Sequence, residues 1–262
     1  MIQSPLIASC FDSGFLEAHD TYNTLSLASD GCLYYILSSD KIDVGGQMFR
    51  FDPLTEEIKF LGDLNVICGE ANQKSIAQGK SHVLFYEFQH KLYFSTHVGF
   101  YQLIDGMDRL PEQAPDGFDL YPGGHILSYD LNNESFEDLA IIPHGEGVVT
   151  MVMDTKRGNI FGITWPTGHL FCYQANERKL TLMDKISGNG EAGTPGKDFR
   201  SLCRSLLVDE DTGFCYFTSI EGDVHYVDPQ EMKINKLDLA HLRLDYFGKY
   251  EANMPGTMGY HW

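Results

Sequence analysis

The sequence is poor in basic residues. Nineteen lysines and arginines stand against 37 aspartates and glutamates in 262 residues, a formal net charge of −18. Unaided binding to a phosphate backbone or to anionic lipid needs a basic surface, so nucleic acid is not an expected partner. A local basic pocket is still compatible with that balance. No run approaches 18 apolar residues, which excludes a helical membrane span. Six cysteines are scattered with no C-x-x-C pair, so zinc-ribbon and thioredoxin-like readings lack support. Cys32, Cys172 and Cys215 lie inside apolar runs and read as small core residues. The opening MIQSPLIASC has no basic n-region and too short an apolar stretch for a signal peptide. The expected location is therefore cytoplasmic by default, or exported if the N-terminus is incomplete.

Long helical periodicity is also missing. Short runs rich in Tyr, Phe, Val and Ile alternate with Gly, Asp and Asn turns, the pattern of an all-β chain. With 43% hydrophobic residues, the chain can bury a sizeable core. Four segments share one grammar. A polar turn leads into a strand centred on an aromatic: Tyr34, Tyr93, Phe161 and Tyr216, spaced by 59, 68 and 55 residues. A Gly-containing connection follows. The next strand ends at Phe51-Asp52, Tyr129-Asp130, Tyr173-Gln174 or Val227-Asp228, and a last strand closes the unit. A further apolar run upstream makes four strands per unit.

Four antiparallel strands at this period describe β-propeller blades. One twisted blade cannot bury both faces, so blades stack against each other. A sandwich or barrel does not demand a repeated strand grammar. The blades are expected at about residues 20–64, 80–142, 146–186 and 200–239 of a single propeller domain. Residues 240–262 then open a further blade, so the chain reads as part of a larger ring. An open blade face would favour self-association.

The grammar also locates a functional face. Starts of first strands, ends of second strands and the connections after them share one end of the propeller. In the second unit that connection is longer by roughly 20 residues, FYQLIDGMDRLPEQAPDGFDLYPG, and such an insertion is commonly a recognition element. The same end collects Lys80, His82, His97, His144, Trp165, Arg200, Arg204 and His261, with Tyr121 and His125 flanking the insertion. Histidines here suit acid/base chemistry, and arginines suit carboxylate binding. A strand-end histidine is equally a structural hydrogen-bonding group, and Arg204 could simply pair with Asp209. No tight metal-ligand spacing occurs, so no cofactor is expected, with room left for a structural divalent metal.

The runs GKSHVLFYEFQHKLYFSTH, YPGGHILSYDL and GNIFGITWPTGHLFCY, across units two to four, resemble a family of bacterial seven-bladed propellers. That family is similar to the propeller-fold polysaccharide lyases that cleave ulvan, a uronate-containing polysaccharide. The resemblance implies β-elimination, with histidine and tyrosine moving protons and arginine or histidine neutralising the uronate carboxylate. The matching positions are His82 in the K-x-H run and His97 in the F-x-T-H run, with Arg204 as neutraliser. Trp165 stands where the run leads one to expect the tyrosine, and Tyr121 is a neighbouring alternative. Lys80, Tyr121, His125, Trp165, Arg200 and His261 are then substrate-binding candidates, and an acidic polysaccharide or oligosaccharide is the implied partner. The other class of function is a non-catalytic binding or scaffold propeller for a glycan or protein, since this fold implies no one activity. Metal-dependent lactone or ester hydrolysis ranks last, because the inner strands supply few carboxylates.

Overall fold

The computed structural model describes residues 8–242. Residues 243–262, including His261 and most of the expected further blade, lie outside them. The first sheet is a meander of β1 (Leu25–Leu27), β2 (Leu33–Leu37), β3 (Gln47–Asp52) and β4 (Glu57–Asp63). A single turn of helix, α1 (Leu64–Ile67), leads out of it, capped by the Asp63 carboxylate. The second sheet has β5 (Tyr86–Phe88) and β6 (Lys91–Ser95). A two-stranded hairpin, β7 (Gln102–Ile104) and β8 (Met107–Arg109), interrupts it. The sheet resumes with β9 (His125–Asp130) and β10 (Ser135–Ile141), so its spatial order is β5-β6-β9-β10. The third contains β11 (Gly147–Asp154), β12 (Asn159–Trp165), β13 (His169–Gln174) and β14 (Lys179–Lys185). The fourth contains β15 (Leu207–Val208), β16 (Cys215–Thr218), β17 (Asp223–Asp228) and β18 (Lys233–His241). All pairings within the four sheets are antiparallel. These are β-propeller blades of four strands each, as the repeat predicts.

The repeat is visible down to its turns. Between the third and fourth strands of the blades, Glu56, Glu134, Arg178 and Met232 all adopt positive φ, from 51° to 58°. In three blades an aspartate at the head of that turn, Asp52, Asp130 or Asp228, accepts backbone N–H groups two or three residues on. Such a turn mimics a backbone turn and favours Asp at its start. The third blade has Gln174 there, and a backbone bond from Glu177 N–H to Gln174 O replaces the side chain.

Burial grades across each blade. Every residue of β12 is buried, whereas β4, β10 and β14 alternate between half-buried and exposed. The fourth strand is therefore the wet edge, and the middle strands face neighbouring blades on both sides. One buried cluster joins the first and second blades through Tyr34, Phe85, Phe94 and Tyr129. Phe85 meets Phe94 at 5.1 Å and Tyr34 at 6.5 Å, both edge-on, the arrangement aromatic rings prefer. A second cluster joins the third and fourth through Phe161, Cys172, Cys215 and Phe217. All five cysteines from Cys32 to Cys215 are free and buried, while Cys10 is free and exposed.

Phe94 has no exposed surface and backs Phe85, the ring that meets Tyr34 across the seam between the first two blades. Phe94→Ala is expected to destabilise the fold by about 3–5 kcal/mol, the usual cost of emptying a buried aromatic site. Urea unfolding of the two proteins reads it. A loss below about 1 kcal/mol would mean that this seam does not carry the fold.

Candidate functional site

Residues that precede the first strands and follow the second strands converge on one cavity of about 330 Å³. From the candidates named by sequence it receives Lys80, His82, His97, Trp165 and Arg204. It adds Tyr101 and Asp108 from the insertion, which the sequence marked only as a segment, and Tyr22 and Glu191, which sequence reasoning missed. A second cavity of about 270 Å³ shares His82 and Arg204 and runs on between the blades past Asn23 and Thr150.

The backbone fixes this cluster. Lys80 and His97 face each other across an isolated antiparallel bridge: Lys80 N–H donates to His97 O at 2.9 Å, and His97 N–H to Lys80 O at 2.7 Å. Gly147 pairs with Trp165 across β11 and β12. A Cβ on Gly147 would stand 2.2 Å from His97 Nδ1, so only glycine leaves room for the imidazole. His97 therefore lies beside Trp165, with ring centres 5.4 Å apart and edge to face. Tyr101 packs against both rings, 5.5 Å from Trp165 and 6.3 Å from His97, and its hydroxyl donates to Val98 O. Burial pushes that phenol's pKa up.

The two imidazoles are neighbours, with ring centres 4.3 Å apart. Tyr22 stacks flat on the outer side of His82 at 4.3 Å. His82 Nε2 and His97 Nδ1 are both buried without a hydrogen-bond partner. Burial pushes His82 down to about 3, with Lys80 and Arg204 acting in the same direction. His97 is held well below the usual value by burial, then by His82, Arg204 and Lys80. Both rings are thus neutral at pH 7.

The cations have internal partners. Lys80 Nζ donates to Asp20 at 3.4 Å and lies 5.3 Å and 5.9 Å from the ring centres of Tyr101 and Tyr22. Arg204 Nη2 donates to both oxygens of Glu191, at 2.8 and 2.9 Å. Glu191, not Asp209, is therefore the partner of Arg204. The same carboxylate accepts from Trp165 Nε1 at 2.8 Å and from Leu202 N–H at 3.0 Å. Glu191 sits in a 3-10 turn, Gly190–Ala192, onto which the inserted hairpin is fastened. Arg109 donates to Glu191 O and to Gly193 O. Gly106, Met107 and Asp108 at the hairpin tip then form one wall of the cavity.

Four candidates stand elsewhere. Arg200 pairs with Glu221 at 3.6 Å. His144 packs near His169 rather than into the cavity. Tyr121 and His125 are buried behind the site in a polar network. Gln78 is its hub: Oε1 accepts from Thr96 and Tyr121, and Nε2 donates to Glu70 and Gly123 O. His125 bridges Asp138 at 2.9 Å and Glu70 at 3.0 Å. Burial opposes a charge on His125, but hydrogen bonds to Asp138, Cys68 and Glu70 outweigh it and raise the ring to about 11. Among the described residues, no group of three or more His, Cys, Asp or Glu is arranged to hold a metal ion.

No known protein family matches the chain by sequence, and no curated protein does. Solved structures of similar fold include an oligogalacturonate lyase in complex with manganese: 9% identity, TM-score 0.49, covering 88% of this chain and 56% of that one. TolB from Acinetobacter baumannii is similar at 10% identity and TM-score 0.44, over 87% and 45% of the two chains. The structure of a nidogen/laminin complex gives 9% and 0.47, over 82% and 64%. The chain spans about half to two thirds of the length of these proteins. The likeness is one of fold.

The titrations act on stability in opposite directions. His82 has a folded pKa below its ordinary 6.5, so the unfolded chain binds more protons from about 6.5 down to about 3. Stability from this site is therefore lost as the pH falls through that window. His125 has a folded pKa raised to about 11, so its contribution is full below 6.5 and is lost as the pH rises toward 11. Ring-proton NMR titration should find His82 still neutral at pH 4 and His125 still charged at pH 8. An ordinary midpoint near 6.5 for either would contradict its described surroundings. His125→Ala leaves Glu70 buried without its cation and is expected to cost about 3–5 kcal/mol by urea unfolding.

Proposed function

We propose that the cavity binds an acidic saccharide and eliminates across its uronate unit. One observation carries this reading. Two neutral imidazoles, each with an unpartnered buried nitrogen, lie with ring centres 4.3 Å apart in a cavity that Lys80 and Arg204 also line. Buried polar nitrogens without partners are uncommon in structural roles and concentrate where a ligand or reaction uses them.

In the reaction, one imidazole of the pair takes the proton from C5 of the uronate. The C5–H electrons form the C4=C5 double bond, and the bond from C4 to its oxygen breaks. Tyr22, stacked on His82, offers a hydroxyl to protonate the departing oxygen. Arg204 and Lys80 stabilise the negative charge that builds on the carboxylate. A base with a pKa near 3 is too weak for this in the empty site. An anionic ligand raises it, because an opposite charge within about 4–6 Å favours the imidazolium. Tyr101 and Trp165 give the sugar rings apolar walls.

Polyuronates incubated with the protein should gain the absorbance of an unsaturated uronate product. His82→Ala or His97→Ala should lower that rate by at least about 100-fold, the usual contribution of a positioned acid or base. No turnover on a panel of polyuronates and their oligosaccharides would overturn the lyase reading. The second reading, saccharide binding without chemistry, draws on the Asp20 and Glu191 carboxylates that already face the two cations. Calorimetric binding that survives both histidine substitutions, with no product formed, would favour it.

A further inference from the structure

The proposed reading uses Arg204 as a carboxylate binder and leaves Glu191 without a task. Glu191 is not a passing surface partner. Its side chain is 12% exposed, against 46% for Arg204. Its two oxygens collect four hydrogen bonds, from Arg204 Nη2 twice, from Trp165 Nε1 and from Leu202 N–H. Its own turn is clamped from outside by Arg109 of the inserted hairpin. The carboxylate is thus fixed independently of Arg204, by donors that hold it whether or not the arginine is there.

The contact has a particular form. Both Glu191 oxygens meet one nitrogen of the guanidinium, Nη2, although that group offers five N–H donors on three nitrogens. A fork-to-fork pair would consume two nitrogens. Among the described residues Nε and Nη1 donate to no other group and remain for a second acceptor, while the arginine's charge is already largely balanced. Asp20 stands to Lys80 in a similar relation, and Asp108 adds a further carboxylate to the cavity wall.

We propose that Glu191 is the specificity-determining residue of this cavity: a built-in counter-ion that orients Arg204 through Nη2 and caps the attraction of the site for anions. The consequence is selectivity for a single carboxylate on a sugar over densely charged anions such as sulfated sugars. A single carboxylate finds the remaining guanidinium donors on Nε and Nη1. A dense anion gains little from a balanced arginine and is repelled by Glu191 and Asp108. The inference rests on the acidic-saccharide reading above, but only on its binding half.

The experiment reads binding, not turnover. Calorimetry compares trigalacturonate, a sulfated galactose oligosaccharide and a neutral galactose oligosaccharide on the wild-type chain, Glu191→Gln and Arg204→Ala. The glutamine removes the charge and keeps one acceptor oxygen, enough for Trp165 Nε1 or for Leu202 N–H, which bind different Glu191 oxygens, but not for both. The Glu191→Gln protein should bind the sulfated oligosaccharide about tenfold tighter, the order of one charge-assisted hydrogen bond. Trigalacturonate should gain less, and the neutral oligosaccharide should not change. The Arg204→Ala protein, which leaves Glu191 held by its other donors, should lose trigalacturonate affinity and keep the neutral one.

Equal changes for all three ligands in Glu191→Gln, or no change for the sulfated one, would overturn the inference. So would trigalacturonate binding unaffected by Arg204→Ala, which serves even if Glu191→Gln does not fold. A wild-type chain that shows this charge selectivity but forms no unsaturated product keeps the inference and loses the lyase. A chain that forms product but shows no selectivity shift does the reverse.

Discussion

The mouth of this propeller depends on one buried amide. Gln78 has no exposed surface, and its side chain ties Thr96 at the end of a second strand to Glu70, Gly123 and Tyr121. Its backbone N–H donates to Asn65 of the helical turn. All of its side-chain hydrogen-bonding capacity is engaged, which is the condition under which a buried polar network rigidifies rather than weakens a core. Two residues further on stands Lys80, bridged to His97, which directly follows Thr96. The positions of a cation and of an imidazole are therefore set from behind, by a network that does not line the cavity. His125 and Tyr121 belong to that scaffold.

The charge pattern follows from the same geometry. In the scaffold His125 lies between two carboxylates and is held charged; at the cavity His82 and His97 lie near two cations and are held neutral. Burial works against the charged ring in all three. What separates them is which partner each blade supplies within hydrogen-bond reach. The histidines of one small region are thus set apart: one is held charged within the scaffold, and two are held neutral beside the cavity.

The blades were legible in the sequence because they recur. Each Asp-headed turn and each aromatic strand appears several times, so one ambiguous segment is read through the others. His82, His97 and Arg204 were found by the same logic, as positions just outside the first or second strand. Tyr22 obeys it too: it lies three residues before β1, as Arg204 lies three before β15. The same positional signal therefore marks the first blade as well. His144 obeys it equally and points elsewhere, because a positive φ of 68° turns the chain there. Position along a blade is therefore a guide to the mouth but not to side-chain direction.

Glu191 and Asp108 were illegible for a different reason. Asp108 lies in the insertion that the repeat exposes only as a segment, without marking one residue of it, and Glu191 lies in the connection between the third and fourth blades, which carries no repeated residue signal. Their placement is a tertiary event: Arg109 on the hairpin reaches a 3-10 turn more than 80 residues away in sequence. The hairpin itself is scarcely buried, with Leu103 75% exposed, and two hydrogen bonds from one arginine cannot make it a rigid wall alone. The turn is better held, since Glu191 also binds Trp165 and Leu202. The rigid partner is thus the carboxylate and the compliant one is the hairpin. A ligand entering the cavity meets a fixed charge set on one side and a wall that can yield on the other. Under the proposed binding role, such an arrangement selects the accepted charge and leaves the length of the chain beyond it free to vary.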